Sequence, residues 1–476
     1  MSTMPPPSTR SSGPGDLYGA LMRRVLFPAF EQLRGRPTVS LLRQLERSQR
    51  ASVDELAAVQ GGFVRRLTAH AYAHTPFYRQ QWDALGVTPG ELTSAEALAV
   101  LPLLERDAAR ASSDARLATA PPFASIVKHT SGSTGRPMTV HYNAESRHWR
   151  DADRWRAYGW AGYRVGDRAI HYWGQGAVAP TRMQRARMVA DRAIKRDLYL
   201  DAGHGDDATL AHVVRQIESF RPTVLVVFTQ AAVRLAHFVI DRGLRTWDPI
   251  PVLCGAEKVW PADRATLEAA FGPVFETYGC REVQLIASEC EHHQGMHASV
   301  EKLVVELVVR DPAAPGGARA ARPGEVGEVA VTDLHNLAQP LIRYLTGDVA
   351  TAMAPAPCPC GRTLPRFGSV EGRVAEMLYD RDGKAVSGLL FSILFVAVAA
   401  RVQQFQVAQH ADRSIELRVV PLPGGFPAEG EQLAREYIAK YLPGIPFKVS
   451  VVDDIPVAPS GKRRVVVVDP AAKTAR

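Results

Sequence analysis

At 476 residues the chain is too long for one ordinary hydrophobic core and is expected to divide into at least two domains. Its 46% hydrophobic and 22% charged residues are those of a soluble globular protein, and five cysteines in such a length exclude a disulfide framework. The formal net charge of +8, from 57 Lys plus Arg against 49 Asp plus Glu, suits anionic ligands such as nucleotides and fits an Arg-rich surface equally well.

Residues 1–16 are rich in Pro, Ser and Gly and lack an apolar core. They read as a disordered tail rather than a signal peptide, so the chain is expected to stay in the cytoplasm. From Leu17 to about Arg110 apolar residues recur at three and four positions, as in Leu41, Leu42 and Leu45 and again in Phe63, Val64 and Leu67, the period of scaffold helices. Next comes Thr130-Ser131-Gly132-Ser133-Thr134-Gly135-Arg136-Pro137. Its glycines free the backbone, and its hydroxyls and amides can turn inward onto phosphate oxygens. The Gly-Lys-Ser/Thr ending of a Walker loop is missing, and strand-like flanks at Ile126-Val127 and Met138 to Tyr142 make it a link between two strands. After a strand-like Arg168 to Ile170, the residues His171, Tyr172, Trp173 and Gln175 have two readings, a ligand pocket or core packing.

From about residue 209 helix-like and strand-like stretches alternate: Leu210 to Phe220, Thr223 to Phe228, Ala231 to Ile240, Pro251 to Cys254, Asp263 to Phe271 and Val274 to Tyr278. Gly272 and Pro273 stop the last of these helices. Such alternation predicts a parallel sheet covered by helices, with ligands beyond the carboxyl ends of its strands. Those ends carry Thr229 and Gln230, then Gly255, Ala256 and Glu257, then Tyr278, Gly279 and Glu282. Farther on, Cys290 and His297, with the close pair Cys358 and Cys360, make a candidate metal set. Thiolate with imidazole selects zinc, four ligands imply a structural site, and Cys-Pro-Cys-Gly is a tight turn able to present both sulfurs. His292 and His293 are spare candidates, and plain buried cysteines are the alternative. Asp311 to Pro323 reads as a loop.

After Arg373 the composition shifts to a compact α+β unit. It has an apolar helix from Leu389 to Ala400 that is too short to span a membrane, strands at Gln404 to Val407, Ile415 to Val420 and Phe447 to Val452, and a helix from Glu429 to Tyr441. The expected fold class is therefore α/β, with a large N-terminal domain of parallel-rich sheets and helices at 17–373 and a small C-terminal domain at 374–476.

Thr130 to Pro137 resembles the phosphate loop of the adenylate-forming superfamily that includes acyl-CoA synthetases and luciferases. Tyr278-Gly279-Cys280-Arg281-Glu282, Tyr344-Leu345-Thr346-Gly347-Asp348 and Gly372-Arg373 with Pro459-Ser460-Gly461-Lys462 match it in the right order. Asp333-Leu334-His335-Asn336, Cys358-Pro359-Cys360-Gly361-Arg362 and Glu371-Gly372-Arg373 resemble its phenylacetate-CoA ligase branch, over about residues 60 to 470. The resemblance implies ATP-dependent activation of a carboxylic acid, aromatic or otherwise planar, as an acyl-adenylate, followed by transfer to CoA. It implies that Thr130, Ser131, Gly132, Ser133, Thr134 and Gly135 cradle phosphate and that Glu282 holds magnesium. It also implies that Tyr278, Gly279 and Gly255 to Glu257 wall the adenine, and that Asp348 and Arg373 hold the ribose. Lys462 is implied to reach the α-phosphate from a mobile small domain hinged just past Arg373.

Two positions depart from that pattern. Arg281 stands where the family has a small hydroxyl residue, and is expected to meet an acidic substrate group or phosphate. Ala375, beside Glu376, replaces the hinge acid. Two rival readings stay open: an adenylate passed to an amine or a carrier-protein thiol, and a non-catalytic nucleotide- or polyanion-binding protein. No nucleic-acid or membrane partner is expected, and a homodimer is open.

Overall fold

The computed structural model describes residues 16–120, 125–129, 138–173, 181–202, 206–373, 377–381, 385–387, 402–421, 425–426, 428–455 and 466–473. The loop at 130–135, Gln175, Ala375, Glu376, the apolar run at 389–400 and Lys462 lie outside the described residues. The chain divides into two compact units, mainly at Val370 and Glu371, with Gly347–Val349 belonging to the second.

In the first unit α1 (Leu17–Leu21) is capped by Asp16, which accepts the Gly19 N–H at 3.0 Å, and runs through a π-helical turn, Met22–Leu26, into α2 (Phe27–Leu33). α3 (Thr38–Ser48) and α4 (Val53–His74) follow. α4 starts in a reciprocal cap: Ser52 Oγ accepts the Glu55 N–H at 3.2 Å, and the Glu55 carboxylate accepts the Ser52 N–H at 2.8 Å. Pro76 presets the helical φ at the first position of α5 (Pro76–Leu85). Val64, Leu67 and Ala71 of α4 and Tyr78 and Trp82 of α5 are buried in one cluster with Val304 and Ile342, each large apolar side chain contributing about 1.5–3 kcal/mol on leaving water. The short α6 (Arg106–Ala111) comes next.

β1 (Ile126–His129) and β2 (Thr139–Tyr142) pair antiparallel, with Ile126 opposite Tyr142, and α7 (Ala144–Trp160) follows. Strands and helices then alternate through β3 (Ala169–Trp173), α8 (Arg182–Lys195), β4 (Asp197–Asp201), α9 (Asp207–Phe220), β5 (Val224–Phe228) and α10 (Thr229–Asp241). The alternation continues through β6 (Val252–Gly255), α11 (Pro261–Ala270) and β7 (Val274–Cys280). β4, β3, β5, β6 and β7 lie side by side in that order and all parallel; β5, β6 and β7 are the strands of the alternation from residue 209, and β3 and β4 precede it. β8 (Gln284–Glu289) and β9 (Met296–Ala298) extend the sheet antiparallel.

A second sheet takes the order β11-β10-β12-β13 from β10 (Leu303–Arg310), β11 (Ala318–Ala320), β12 (Val326–Asp333) and β13 (Tyr344–Thr351). The stretch from Asp311 to Pro323 is thus not all loop. It contains the three-residue β11, which is held by pairing with the backbone of β10 and carries no apolar alternation to announce it. β14 (Arg366–Phe367) returns to pair with β9, and β15 (Val370–Arg373) carries the chain into the second unit.

That second unit has an antiparallel pair, β16 (Met377–Tyr379) and β17 (Ala385–Ser387), and a sheet in the order β20-β19-β18-β21. The sheet is built from β18 (Val402–Gln409), β19 (Ile415–Pro421), β20 (Phe447–Val451) and β21 (Val466–Val468), with α12 (Ala428–Tyr441) between β19 and β20. Leu378, Val407, Leu417, Val419 and Ile438 form its core. No helix among the described residues is long and apolar enough to cross a membrane.

Candidate functional site

The carboxyl ends of β5, β6 and β7 stand beside one another, which gathers Thr229, Gly255 to Glu257 and Tyr278 to Glu282. A Cβ on Gly255 would lie 3.0 Å from Thr277 Oγ1 and 3.2 Å from the Trp173 ring, so glycine keeps this strand end open. Ala256, next to it, has φ 70°, a left-handed conformation that costs a non-glycine residue of order 1 kcal/mol and is held by its surroundings. Thr229 Oγ1 donates to the Glu257 carbonyl at 3.0 Å, and the Gln230 N–H donates to the Glu257 carboxylate at 3.1 Å. Beneath them, Glu276 accepts the Val259 N–H at 3.4 Å. Its carboxyl is pushed up to about 7 by burial and by the neighbouring Glu289 carboxylate. Glu289 is itself clamped by Arg264 at 2.9 and 2.8 Å. The segment after β6 is a fixed wall.

Tyr278 is buried at the end of β7, its hydroxyl 3.1 Å from Thr346 Oγ1. A bulge separates it from Gly279, where a Cβ would fall 2.2 Å from the Gln284 carbonyl oxygen; only glycine lets the two backbones meet. The turn then places Arg281 at the surface and Glu282 inside, 3% exposed. One oxygen of Glu282, Oε1, accepts the Tyr344 hydroxyl at 3.2 Å and pairs with Arg106 Nη2 at 3.2 Å. Its other oxygen, Oε2, accepts from no described residue. Burial, then the charge of Glu282, drives the Tyr344 phenol well above its ordinary range, so it stays a proton donor. A buried carboxylate with one oxygen tied back and the other without a partner among the described residues fits a divalent cation that takes oxygen ligands.

In the second unit, Asp348 is buried on β13 directly after Gly347, whose φ is 82°, and Arg373 ends β15. The pocket candidates separate. His171 and Trp173 share one face of β3, and Tyr172 takes the other, as strand alternation dictates. Trp173 stacks on Phe228 at 4.1 Å beside Gly255. His171 lies deeper, stacked on Tyr199 at 4.3 Å with Nε2 3.5 Å from Asp197. Tyr172 packs with Leu210, Val214 and Leu235. Of these three, Trp173 alone stands at the strand end.

Cys290, His297, Cys358 and Cys360 are all buried, and their ligand atoms lie within 4.8 Å of one another. Cys290 Sγ is 3.7 Å from Cys358 Sγ, and Cys360 Sγ is 3.5 Å from His297 Nε2. His297 Nδ1 donates to the Leu364 carbonyl at 3.0 Å, which leaves the Nε2 lone pair facing the sulfurs. Burial pushes His297 down to about 4 and the Cys290 thiol up to about 12. Such a pocket suits a soft divalent cation, whose charge would offset that burial. His293 turns away to Glu289, at 3.2 Å.

Two residues that sequence reasoning did not assign to the site, Arg106 and Tyr344, hold Glu282. They meet because Leu104 bridges to Tyr344 in parallel, an association between distant segments that no local pattern signals.

No family model matches the chain. A curated phenylacetate-coenzyme A ligase of Thermus thermophilus is 27% identical over 371 residues, 76% of this chain and 80% of that ligase. Its counterpart in Aromatoleum evansii is 28% identical over 352 residues, 71% of this chain and 74% of that one. Among solved structures, 2-hydroxyisobutyryl-CoA ligase in the postadenylation state, in complex with R3-HIB-AMP, superposes with a TM-score of 0.70 at 22% identity, over 90% of this chain and 92% of that one. The chain is thus similar in sequence to phenylacetate-coenzyme A ligases and shares the fold of 2-hydroxyisobutyryl-CoA ligase.

Proposed function

We propose that this chain uses ATP to activate a carboxylic acid, aromatic or otherwise planar, as an acyl-adenylate and then passes the acyl group to CoA. The observation that carries the reading is the buried Glu282 in the turn after β7, whose Oε2 accepts from no described residue, in a chain similar to acid-CoA ligases. In the first step a substrate carboxylate oxygen attacks the α-phosphorus and pyrophosphate leaves; in the second a thiolate attacks the acyl carbon and AMP leaves. When bound, magnesium would neutralise phosphate charge. Glu282 would hold it through Oε2. The fixed wall from Gly255 to Glu257, with Tyr278 and Gly279, would take the adenine. Asp348 and Arg373 would take the ribose, the residues at 130–135 the phosphates, and Trp173 one side of the acid. Arg281, at the surface of the turn, would meet an acidic substrate group at the rim. A cytoplasmic location and a structural zinc on the four Cys and His side chains belong to the same reading.

A screen of carboxylic acids by acid-dependent exchange of labelled pyrophosphate into ATP tests it, followed by product assays with CoA, amines and carrier proteins. Exchange with an aromatic acid and a CoA thioester as product are expected. No exchange with any acid would favour the non-catalytic reading, and an amide product would move the acceptor away from CoA.

Arg106 and the cation would share one carboxylate, and like charges at that distance repel. Arg106→Gln is therefore expected to lower the magnesium concentration for half-maximal exchange roughly tenfold, equivalent to about 1.4 kcal/mol. Arg106→Lys should keep the wild-type requirement. A magnesium dependence unchanged in Arg106→Gln would remove Arg106 from the site.

A further inference from the structure

α8 exposes most of its apolar residues. With successive residues about 100° apart, Met183, Ala186, Val189, Ala190, Ala193 and Ile194 share one face, and every one is exposed, Met183 by 65%, Val189 by 58% and Ile194 by 49%. The half-buried face carries Asp191, Arg192 and Lys195, with Met188 its one apolar residue. There Arg192 lies 3.8 Å over the Tyr199 ring of β4, and Lys195 pairs with Asp191 at 2.8 Å. A surface helix ordinarily buries its apolar stripe. Arg182, Arg185 and Arg187 are exposed along the same helix, and among the described residues no ion pair engages them. α1 adjoins its end: the Tyr18 hydroxyl donates to the Ile194 carbonyl at 2.7 Å, and Asp16 pairs with Arg196 at 2.8 Å. α1 and the turn after it add exposed Leu17, Leu21 and Val25, at four-residue spacing, and exposed Arg24.

The composition of what could cover this face decides between occupants. The tail at 1–15 offers only Met1 and Met4 besides Pro, Ser, Thr, Gly and Arg, too little apolar surface to seal the stripe. A second copy packed about a two-fold axis would set the three arginines of α8 against their own duplicates. An anionic surface has neither defect. We propose that the face formed by α1 and α8 docks on an anionic lipid bilayer, with α8 lying in the interface. Its apolar stripe enters the acyl boundary, and its arginines reach lipid phosphates along their own stems. The chain's +8 charge acts in the same direction. On this proposal the membrane is reached by a surface helix that does not span it.

Flotation of the purified full chain with vesicles tests this, using phosphatidylcholine alone and phosphatidylcholine with about a third phosphatidylglycerol. Wild type should float with the anionic vesicles and bind neutral ones at least about tenfold more weakly, with high salt releasing it. The double variant Val189→Glu/Ile194→Glu should lose binding by a similar factor while keeping its melting temperature. If the glutamates disturb the fold, the triple variant Arg182→Gln/Arg185→Gln/Arg187→Gln, changed only at exposed positions, should show the same loss. Four results would overturn the proposal: no flotation of wild type on anionic vesicles, equal binding to neutral ones, binding retained in both variants, or a wild-type dimer in solution that Val189→Glu/Ile194→Glu splits.

Discussion

Cys358→Ser/Cys360→Ser is expected to release about one zinc per chain and to lower the melting temperature by on the order of 10 °C, the size of a few kcal/mol in a domain this large. The expectation follows from where the four side chains come from. Cys290 and His297 flank the turn between β8 and β9, His297 pairs in register with Arg366 of β14, and Cys358 and Cys360 lie on the loop leading to that strand. A metal there would tie three segments at the edge of the large sheet, and four protein ligands would leave no open position for substrate. Stability should therefore fall much more than adenylation. Metal analysis and thermal unfolding of the wild type, of the variant and of chelator-treated wild type check it. Zinc absent from the wild type, or retained by the variant, would reject the assignment.

The parallel sheet was legible because each of its units announces itself locally. An apolar run of strand length ends in small or polar residues, and a helix of the right period follows, as in Val224–Phe228 leading into Thr229–Asp241. The Cys pair was legible for the same reason, being one residue apart. Pairs joined only by the fold were not: Arg106 and Glu282 share an ion pair at 3.2 Å without any common periodicity. Asp333 and His335, noted as marks of a branch, prove to hold α7. Arg150 pairs with Asp333 at 2.6 Å, and Trp149 stacks on His335 at 4.0 Å, all within the buried interior. The pocket reading of His171 with Tyr172 contained its own correction, since adjacent strand residues face opposite ways. α8 was not among the expected elements, although its apolar residues recur at helical spacing; that spacing signals a helix and says nothing of which way the stripe faces.

Lys462→Ala is expected to reduce acid-dependent pyrophosphate exchange by about 10² or more while leaving conversion of a supplied acyl-adenylate to thioester near the wild-type rate. Attack of a carboxylate on the α-phosphorus brings two anions together, and an ammonium placed at that centre stabilises charge that appears only as the bond forms. The second step has different needs: a thiolate attacks an acyl carbon, the acyl C–O bond breaks, and the negative charge leaves on the AMP phosphate. On the proposed reading Lys462 would therefore serve the first step and be dispensable for the second. The two half-reactions, measured separately with the acid found by screening, distinguish the possibilities. Unchanged exchange in Lys462→Ala would strip the residue of its catalytic role. Equal loss in both steps would point to the nucleotide site or the fold, and Lys462→Arg should then fail to restore exchange, whereas a charge-based role predicts partial recovery.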